Sequence, residues 1–242
     1  MDNKIKKFNI NFASYLFYLI PFALLTGPFL PDLFLSIISV IFLIIAFANK
    51  LDKYFKNIPF LVFMVFYIYI LTTSFFSEFT IFSIKSSFVY FRFGIFALAT
   101  WFLIENKKNF IKNFTIILLA TYSIALFDGY YQYIFKSNIF GHVYDWSHGT
   151  VRLRLLLNDK MILGGYLARI FPLLIALIIY NFSQTKKSYF LIFLLFILSD
   201  VVIYISGERT AFGLMLLSSI MMIFLMSKYK ILRIITLSIS IL

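Results

Sequence analysis

Arginines are the residues of this sequence best suited to chemistry. Five of the six lie inside or beside long apolar runs: Arg92, Arg152, Arg154, Arg169 and Arg209. The planar guanidinium group stays charged when it is partly desolvated and binds phosphate or carboxylate through paired hydrogen bonds. The pattern therefore indicates a site for an anionic group.

Two carboxylates, Asp128 and Asp200, also lie inside apolar runs. The rise of a helix predicts them at about the depth of Arg92 and Arg169, about 8 to 12 Å from the outer ends of their runs. Charged groups inside a membrane are costly and indicate either a functional site or a compensating pair. Two interpretations therefore stand: two salt bridges that hold the helices together, or an outward-opening polar cavity in which the carboxylates orient the arginines.

The short segment Ser206-Gly207-Glu208-Arg209-Thr210 separates two apolar runs. Gly207 permits a tight turn, and Glu208 then stands at the start of the next helix. A helix start offers free backbone N–H groups and a partial positive charge, so Arg209 would add to an anion site there. The alternative is a capped turn whose arginine reaches the lipid headgroups.

The longest polar segment, residues 136–160, carries two arginines two residues apart, Arg152 and Arg154. In an extended chain that spacing puts both side chains on one side. Trp146 in the same segment is typical of the interfacial aromatic belt, and stacking against a sugar is the alternative.

Both histidines also fall in this segment. His142, Asp145 and His148 recur every three residues and would ligate a metal if they were helical, but a solvated loop explains them equally well. We therefore predict no metal and no cofactor.

The elements that must position these residues are membrane helices. The chain of 242 residues is 62% hydrophobic and 13% charged, with a mean hydropathy of +0.94; soluble domains carry about 25% charged residues. Apolar runs of the length needed to cross a bilayer lie at about 12–28, 31–48, 58–76, 87–104, 114–135, 161–180, 189–206 and 210–226.

These runs predict an all-α, polytopic transmembrane helix bundle of about eight spans, forming a single transmembrane domain over residues 1–242. A ninth run, 231–242, covers only about 18 Å of a bilayer core of about 30 Å. We therefore expect the chain to continue beyond it.

Basic residues predict the orientation of the bundle. Most of the lysines, together with Arg233, recur at every second loop, which is typical of cytoplasmic loops. The N-terminus is then cytoplasmic, and residues 136–160 form the main periplasmic loop. The net charge of +12 is mostly this topology signal, so nucleic acid is not an expected partner. The chain has no cysteine, which excludes thiolate chemistry.

Several motifs, taken in order, resemble the bacterial O-antigen ligase and polymerase family. They are Tyr131-Gln132-Tyr133-Ile134-Phe135, Phe140-Gly141, Arg152 twelve residues before Gly164-Gly165-Tyr166-Leu167, Pro172, and Ser206-Gly207-Glu208-Arg209-Thr210-Ala211. The resemblance covers about residues 120 to 220, and the earlier spans match only in hydropathy.

The resemblance implies a multi-span inner-membrane glycosyltransferase. Such enzymes take a glycan from an undecaprenyl-diphosphate carrier on the periplasmic side and transfer it to lipid A-core in the ligases, or to another carrier-linked glycan in the polymerases. Arg152 and Arg209 match the family's diphosphate-binding arginines. Arg169 often has a basic counterpart, whereas Arg154 stands where a small residue is more common.

The resemblance also has a gap. The family's histidine, which is associated with activating the acceptor hydroxyl, belongs to a large later loop, and no histidine follows His148. The catalytic base is therefore unassigned, and the chain is expected to be a fragment or a degenerate copy. A transporter or flippase of an anionic or lipid-linked substrate, and a catalytically inactive truncated membrane protein, remain as alternatives.

Overall fold

The computed structural model describes residues 3–142, 152–156, 161–182 and 185–241. Within these ranges every helix longer than three residues is an α-helix, and no β-strand is present. The ten helices are α1 (Asn3–Thr26), α2 (Phe29–Ala48), α3 (Ile58–Phe75), α4 (Thr80–Val89), α5 (Phe91–Asn106), α6 (Phe110–Phe135), α7 (Leu163–Asn181), α8 (Lys186–Ile205), α9 (Arg209–Leu225) and α10 (Lys230–Ile241).

The predicted all-α polytopic membrane bundle is confirmed. Among the described residues seven helical segments are long and apolar enough to cross a membrane, and one of them, Thr80–Asn106, comprises α4 and α5 together. The eighth predicted span is α9, which has 17 residues and so a length of about 26 Å. Large apolar side chains point outward, such as Phe47, Phe224 and Leu225, as lipid-facing surfaces require.

The chain divides into two compact units. Unit 1 comprises Met1–Ile20 and Pro28–Phe110, and unit 2 comprises Pro21–Gly27 and Ile111–Leu242.

Unit 1 is built on the contact between α2 and α5. Phe42 of α2 lies 5.6 Å, ring centre to ring centre, from Phe102 of α5, and both rings are buried. Gly94 of α5 lets α3 approach closely, because a Cβ atom there would lie 2.2 Å from the ring of Phe63. Close packing at a small residue is a common way to join helices in a membrane, where apolar burial between helices provides little driving force.

Unit 2 is built around α7. Its buried positions Leu163, Leu167, Phe171, Leu174 and Ile178 follow helical spacing and pack in one core with side chains of α6, α8 and α9. The N–H of Leu163 donates to the carbonyl of Leu153 at 3.4 Å, so the first turn of this helix lies beside residues 152–156. The arginines of interest are therefore positioned by this first turn and by the elements that contact it.

Candidate anion-binding site in unit 2

The turn between α8 and α9 packs against the first turn of α7. Glu208 Oε2 accepts a hydrogen bond from the backbone N–H of Gly165 at 3.1 Å. A Cβ atom on Gly164 would lie only 2.2 Å from Ser206 Oγ, so the contact requires glycine there. Gly207, with φ of 69°, turns the chain between the two helices. Two motifs that are far apart in the sequence thus form one contact.

Glu208 is the acidic centre of this contact. Burial raises its pKa above the usual range of glutamate, while the N–H groups of Gly165 and Gly164 and the positive charges of Arg152 and Arg169 lower the pKa to a smaller extent. Its Oε1 atom is buried and has no hydrogen-bond partner among the described residues. A half-satisfied carboxylate therefore stands at the start of α7 with two arginines near enough to act on its charge.

The arginines around Glu208 are open to ligands. Arg152, Arg169 and Arg209 are exposed, and in the described ranges none of their guanidinium groups makes a hydrogen bond or an ion pair within 4 Å. Arg209 begins α9 directly after Glu208. The structure thus brings Arg152 and Arg169 to the same carboxylate. Their binding of a diphosphate stays a prediction.

Arg154 is tied into the structure by its backbone. Its N–H donates to Gln132 Oε1 at 2.9 Å, and its carbonyl accepts from Gln132 Nε2 at 2.9 Å. Gln132 Nε2 also donates to Asp128 Oδ2 at 2.6 Å. Asp128 is fully buried and accepts a second bond from the N–H of Ile139 at 3.0 Å.

Of the two interpretations, the salt bridge between Asp128 and an embedded arginine is not seen among the described residues. There both of its oxygens accept from N–H groups, and Gln132 links it to the arginine-bearing segment. Asp128 thus affects the backbone of Arg154 and not a guanidinium group.

Asp200 pairs with an arginine that was expected elsewhere. The charge pattern of the sequence predicts Arg233 in a cytoplasmic loop, but it lies on α10 and is fully buried. Its guanidinium group donates two hydrogen bonds to the carboxylate of Asp200, at 2.7 and 2.8 Å. Ser219 Oγ accepts from Arg233 Nε at 3.1 Å, and the ring of Phe196 lies 4.7 Å from the guanidinium carbon. Asp200 is thus bound by Arg233, and its expected orienting role toward Arg152, Arg154, Arg169 and Arg209 stays a prediction.

Arg92 belongs to unit 1 and has a partner there. Its Nη2 atom lies 2.7 Å from Asp32 Oδ2 on α2, and Ser36 Oγ accepts a long bond of 3.5 Å from Nη1. Within unit 2, Arg169 makes no ion pair with Asp128 or Asp200 among the described residues. Asp32 could have been identified from the sequence as a charge partner, because it is an acidic residue in the first turn of an apolar helix.

Of the two histidines, His142 lies among the described residues. His142 is exposed and is held through its backbone, with its carbonyl accepting from the N–H of Asn138 at 3.1 Å. Asp145, Trp146 and His148 lie outside the described residues, so the predictions made for them are untested.

Two residues of the site escaped sequence reasoning. Gln132 was part of a motif, but no role followed from its type, and Asn138 had no visible signal at all. Both are buried amides, at 1% exposure, beside the end of an apolar helix, and that placement is informative because a buried amide needs partners.

The comparisons with known proteins leave the family open. No family model, no curated protein and no solved structure matches this chain. What the structure and the comparisons together establish is an all-α polytopic membrane protein, and its membership of the O-antigen ligase and polymerase family stays a prediction.

Proposed function

We propose that unit 2 binds the diphosphate of a lipid-linked glycan and that the protein transfers this glycan to an acceptor sugar, in the manner of the O-antigen ligases and polymerases. The observation that carries the proposal is the convergence of Arg152 and Arg169 on Glu208 at the first turn of α7. Arg209 follows Glu208 directly and adds a third positive charge.

The electrostatics of this arrangement suit an anionic headgroup. Three arginines and one glutamate leave a surplus of positive charge, and the first turn of α7 adds a helix N-terminus. Guanidinium groups near a membrane surface act more strongly on an anion than they would in bulk water, because the local dielectric constant is lower.

In the proposed reaction an acceptor hydroxyl oxygen attacks the anomeric carbon of the donor. The bond from that carbon to the diphosphate oxygen breaks, the hydroxyl proton leaves to a base, and the negative charge passes to the lipid diphosphate. Arg152 and Arg209 would neutralise that charge, with Arg169 and Arg154 as secondary positive groups. The chain offers no assignment for the base.

The donor in this proposal is undecaprenyl diphosphate carrying a glycan, and the acceptor is lipid A-core or another glycan. The membrane is the bacterial inner membrane, with a cytoplasmic N-terminus and the arginines facing the periplasm. The recurrence of basic residues at alternate loops supports that orientation.

The test is glycan transfer by the protein reconstituted in lipid vesicles with a lipid-linked glycan donor. We expect Arg209→Ala and Arg152→Ala each to lower the rate about 100- to 1000-fold, the usual cost of losing a preorganised donor to a developing anion. Both variants should insert and unfold like the parent protein, since neither guanidinium is bound to the fold.

The matched control is Lys187→Gln, which removes an exposed positive charge at the opposite end of α8. It should transfer glycan at the normal rate. Near-normal transfer by Arg209→Ala and Arg152→Ala, or uptake of the donor without any transfer, would contradict the proposal.

A further inference from the structure

We infer that Gln132 and its buried partner Asp128 are positioning residues for the arginine segment, which we define as residues 152–156. The inference rests on the proposed function in one respect: the segment carries Arg152, which is proposed to bind the donor diphosphate. The argument starts from the side chain of Gln132, which is 1% exposed.

The amide of Gln132 pairs with the arginine segment as a neighbouring strand would. It accepts from the N–H of Arg154 and donates to the carbonyl of the same residue, both at 2.9 Å. Two bonds to one residue fix both the position and the rotation of the backbone there. A backbone that lacked these bonds would leave part-buried polar groups unsatisfied, which is unfavourable.

Asp128 supports the direction in which this amide points. A carbonyl only accepts and an N–H only donates, so the nitrogen of Gln132 faces the carbonyl of Arg154, and the same nitrogen lies 2.6 Å from Asp128 Oδ2. The two N–H groups of the amide are then divided between Asp128 and the carbonyl of Arg154. The oxygen of the amide is left to face the N–H of Arg154, which is the arrangement that pairing requires.

Two further bonds hold the segment on either side of Arg154. Asn138 Nδ2 donates to the carbonyl of Leu156 at 2.9 Å, and the N–H of Leu163 donates to the carbonyl of Leu153 at 3.4 Å. Asn138 is itself fixed, because its Oδ1 accepts from the N–H of His142 at 2.9 Å. Leu153, Leu155 and Leu156 are buried beneath these bonds.

The consequence is that the exposed guanidinium group of Arg152 extends from a backbone segment whose conformation is fixed by these hydrogen bonds. Ordering a free backbone costs conformational entropy, so a ligand that had to order residues 152–156 would bind more weakly. The hydrogen bonds of Gln132 with Asp128 and Arg154 order the arginine segment before the ligand binds, which removes that cost. These two side chains therefore contribute to anion binding without contacting the anion.

The test uses Gln132→Met, which keeps the length of the side chain and removes its hydrogen bonds, and Asp128→Asn, which replaces one of the two oxygens that accept from Gln132 and Ile139. Two quantities are measured on the purified protein in lipid nanodiscs: backbone hydrogen exchange at Arg154 and Leu156, and the affinity for inorganic diphosphate. We expect exchange at Arg154 to rise at least tenfold in both variants and the affinity to fall about tenfold.

The control for a general loss of stability is Asn181→Leu. This change removes another side-chain amide of unit 2, which donates to Thr115 Oγ1 at 2.8 Å at the far end of α7. It should lower the unfolding temperature while exchange at Arg154 and diphosphate affinity stay unchanged. A merely structural role for Gln132 would make its variant behave like Asn181→Leu.

The outcomes separate this inference from the proposed function. Unchanged exchange at Arg154 in Gln132→Met overturns the inference, whatever the enzyme assay shows. Faster exchange with unchanged diphosphate affinity also overturns it and leaves the proposed function intact. If both variants lose diphosphate affinity while the parent protein transfers no glycan, the inference stands and the proposed function fails.

Discussion

Unit 2 uses arginine in two opposite ways. Arg233 is fully buried, and its guanidinium group binds a carboxylate, two hydroxyl groups and an aromatic face. Arg152 and Arg169 are exposed. The carboxylate on whose charge they act, Glu208, accepts a hydrogen bond from the first turn of α7. A guanidinium that is satisfied by its own chain stabilises the fold, whereas one that is left open has capacity for a ligand.

The largest effect is expected from removing the satisfied arginine. Arg233→Met leaves the carboxylate of Asp200 buried without its charge partner, so we expect the free energy of unfolding to fall by about 3 to 5 kcal/mol. Unfolding in mixed micelles with increasing denaturant measures this change. The double variant Arg233→Met with Asp200→Leu should recover most of the loss, and a double variant as unstable as the single one would contradict the assigned pairing.

The next effect concerns the turn that carries Glu208. Gly164→Ala places a methyl group 2.2 Å from Ser206 Oγ and should lower the free energy of unfolding by about 1 to 3 kcal/mol, because the turn must move away from α7. It should also weaken sulfate binding at the arginines.

The matched control is Gly213→Ala in α9, where a Cβ atom meets no atom within 4 Å. The same substitution should raise helix stability there by about 0.5 to 1 kcal/mol. Equal effects at both glycines in thermal unfolding would show that close contact with the turn is not what Gly164 provides.

A smaller effect is expected from the charge of Glu208, which lies near the exposed arginines. The folded chain raises the pKa of Glu208, so the folded state holds this proton more tightly than the unfolded state. The contribution of Glu208 to the free energy of unfolding is therefore larger at low pH and decreases as pH rises from the usual range of glutamate through the raised pKa.

Protonation of Glu208 also removes a negative charge that opposes the charges of Arg152 and Arg169. Sulfate, which does not titrate in this range, should bind up to about tenfold more tightly when pH falls through the pKa of Glu208. Isothermal titration across pH measures this dependence. Glu208→Gln should abolish it and His142→Gln should not; a dependence that survives Glu208→Gln would assign the titration to another group.

The smallest effect is expected at the ion pair of unit 1. Arg92 and Asp32 are in contact at 2.7 Å, but their side chains are 28% and 50% exposed, so solvent weakens the attraction. We expect Asp32→Asn to change the free energy of unfolding by less than about 1 kcal/mol. A loss as large as that of Arg233→Met would mean that burial does not distinguish the two pairs.

The helices could be predicted from the sequence because a membrane span requires length and apolar character, and both are local properties. The predicted runs 31–48 and 58–76 end within two residues of α2 and α3. The run 87–104 was predicted to begin too late, because Lys85 and three nearby serines interrupt the apolar pattern that the helical segment Thr80–Asn106 nevertheless spans.

The site could be predicted only in part. Residue type and spacing were enough to identify Arg152, Arg169 and Glu208 as neighbours of a possible site. They were not enough to pair the charges, because pairing depends on which helices touch: Arg233 lies 33 positions from Asp200 and directly after a lysine-rich loop. A cation at a helix start has the same sequence pattern whether it faces water or the interior.

The pairing of Asp200 with Arg233 has a consequence for how the protein is made. Asp200 is synthesised 33 residues before its partner, an interval of about two to seven seconds at ordinary rates of translation. During that interval α8 carries a carboxylate whose arginine partner has not yet been made, which lipid does not tolerate well. Stable integration of α8 should therefore wait until α10 has emerged, so α8, α9 and α10 are expected to leave the insertion machinery together as one group.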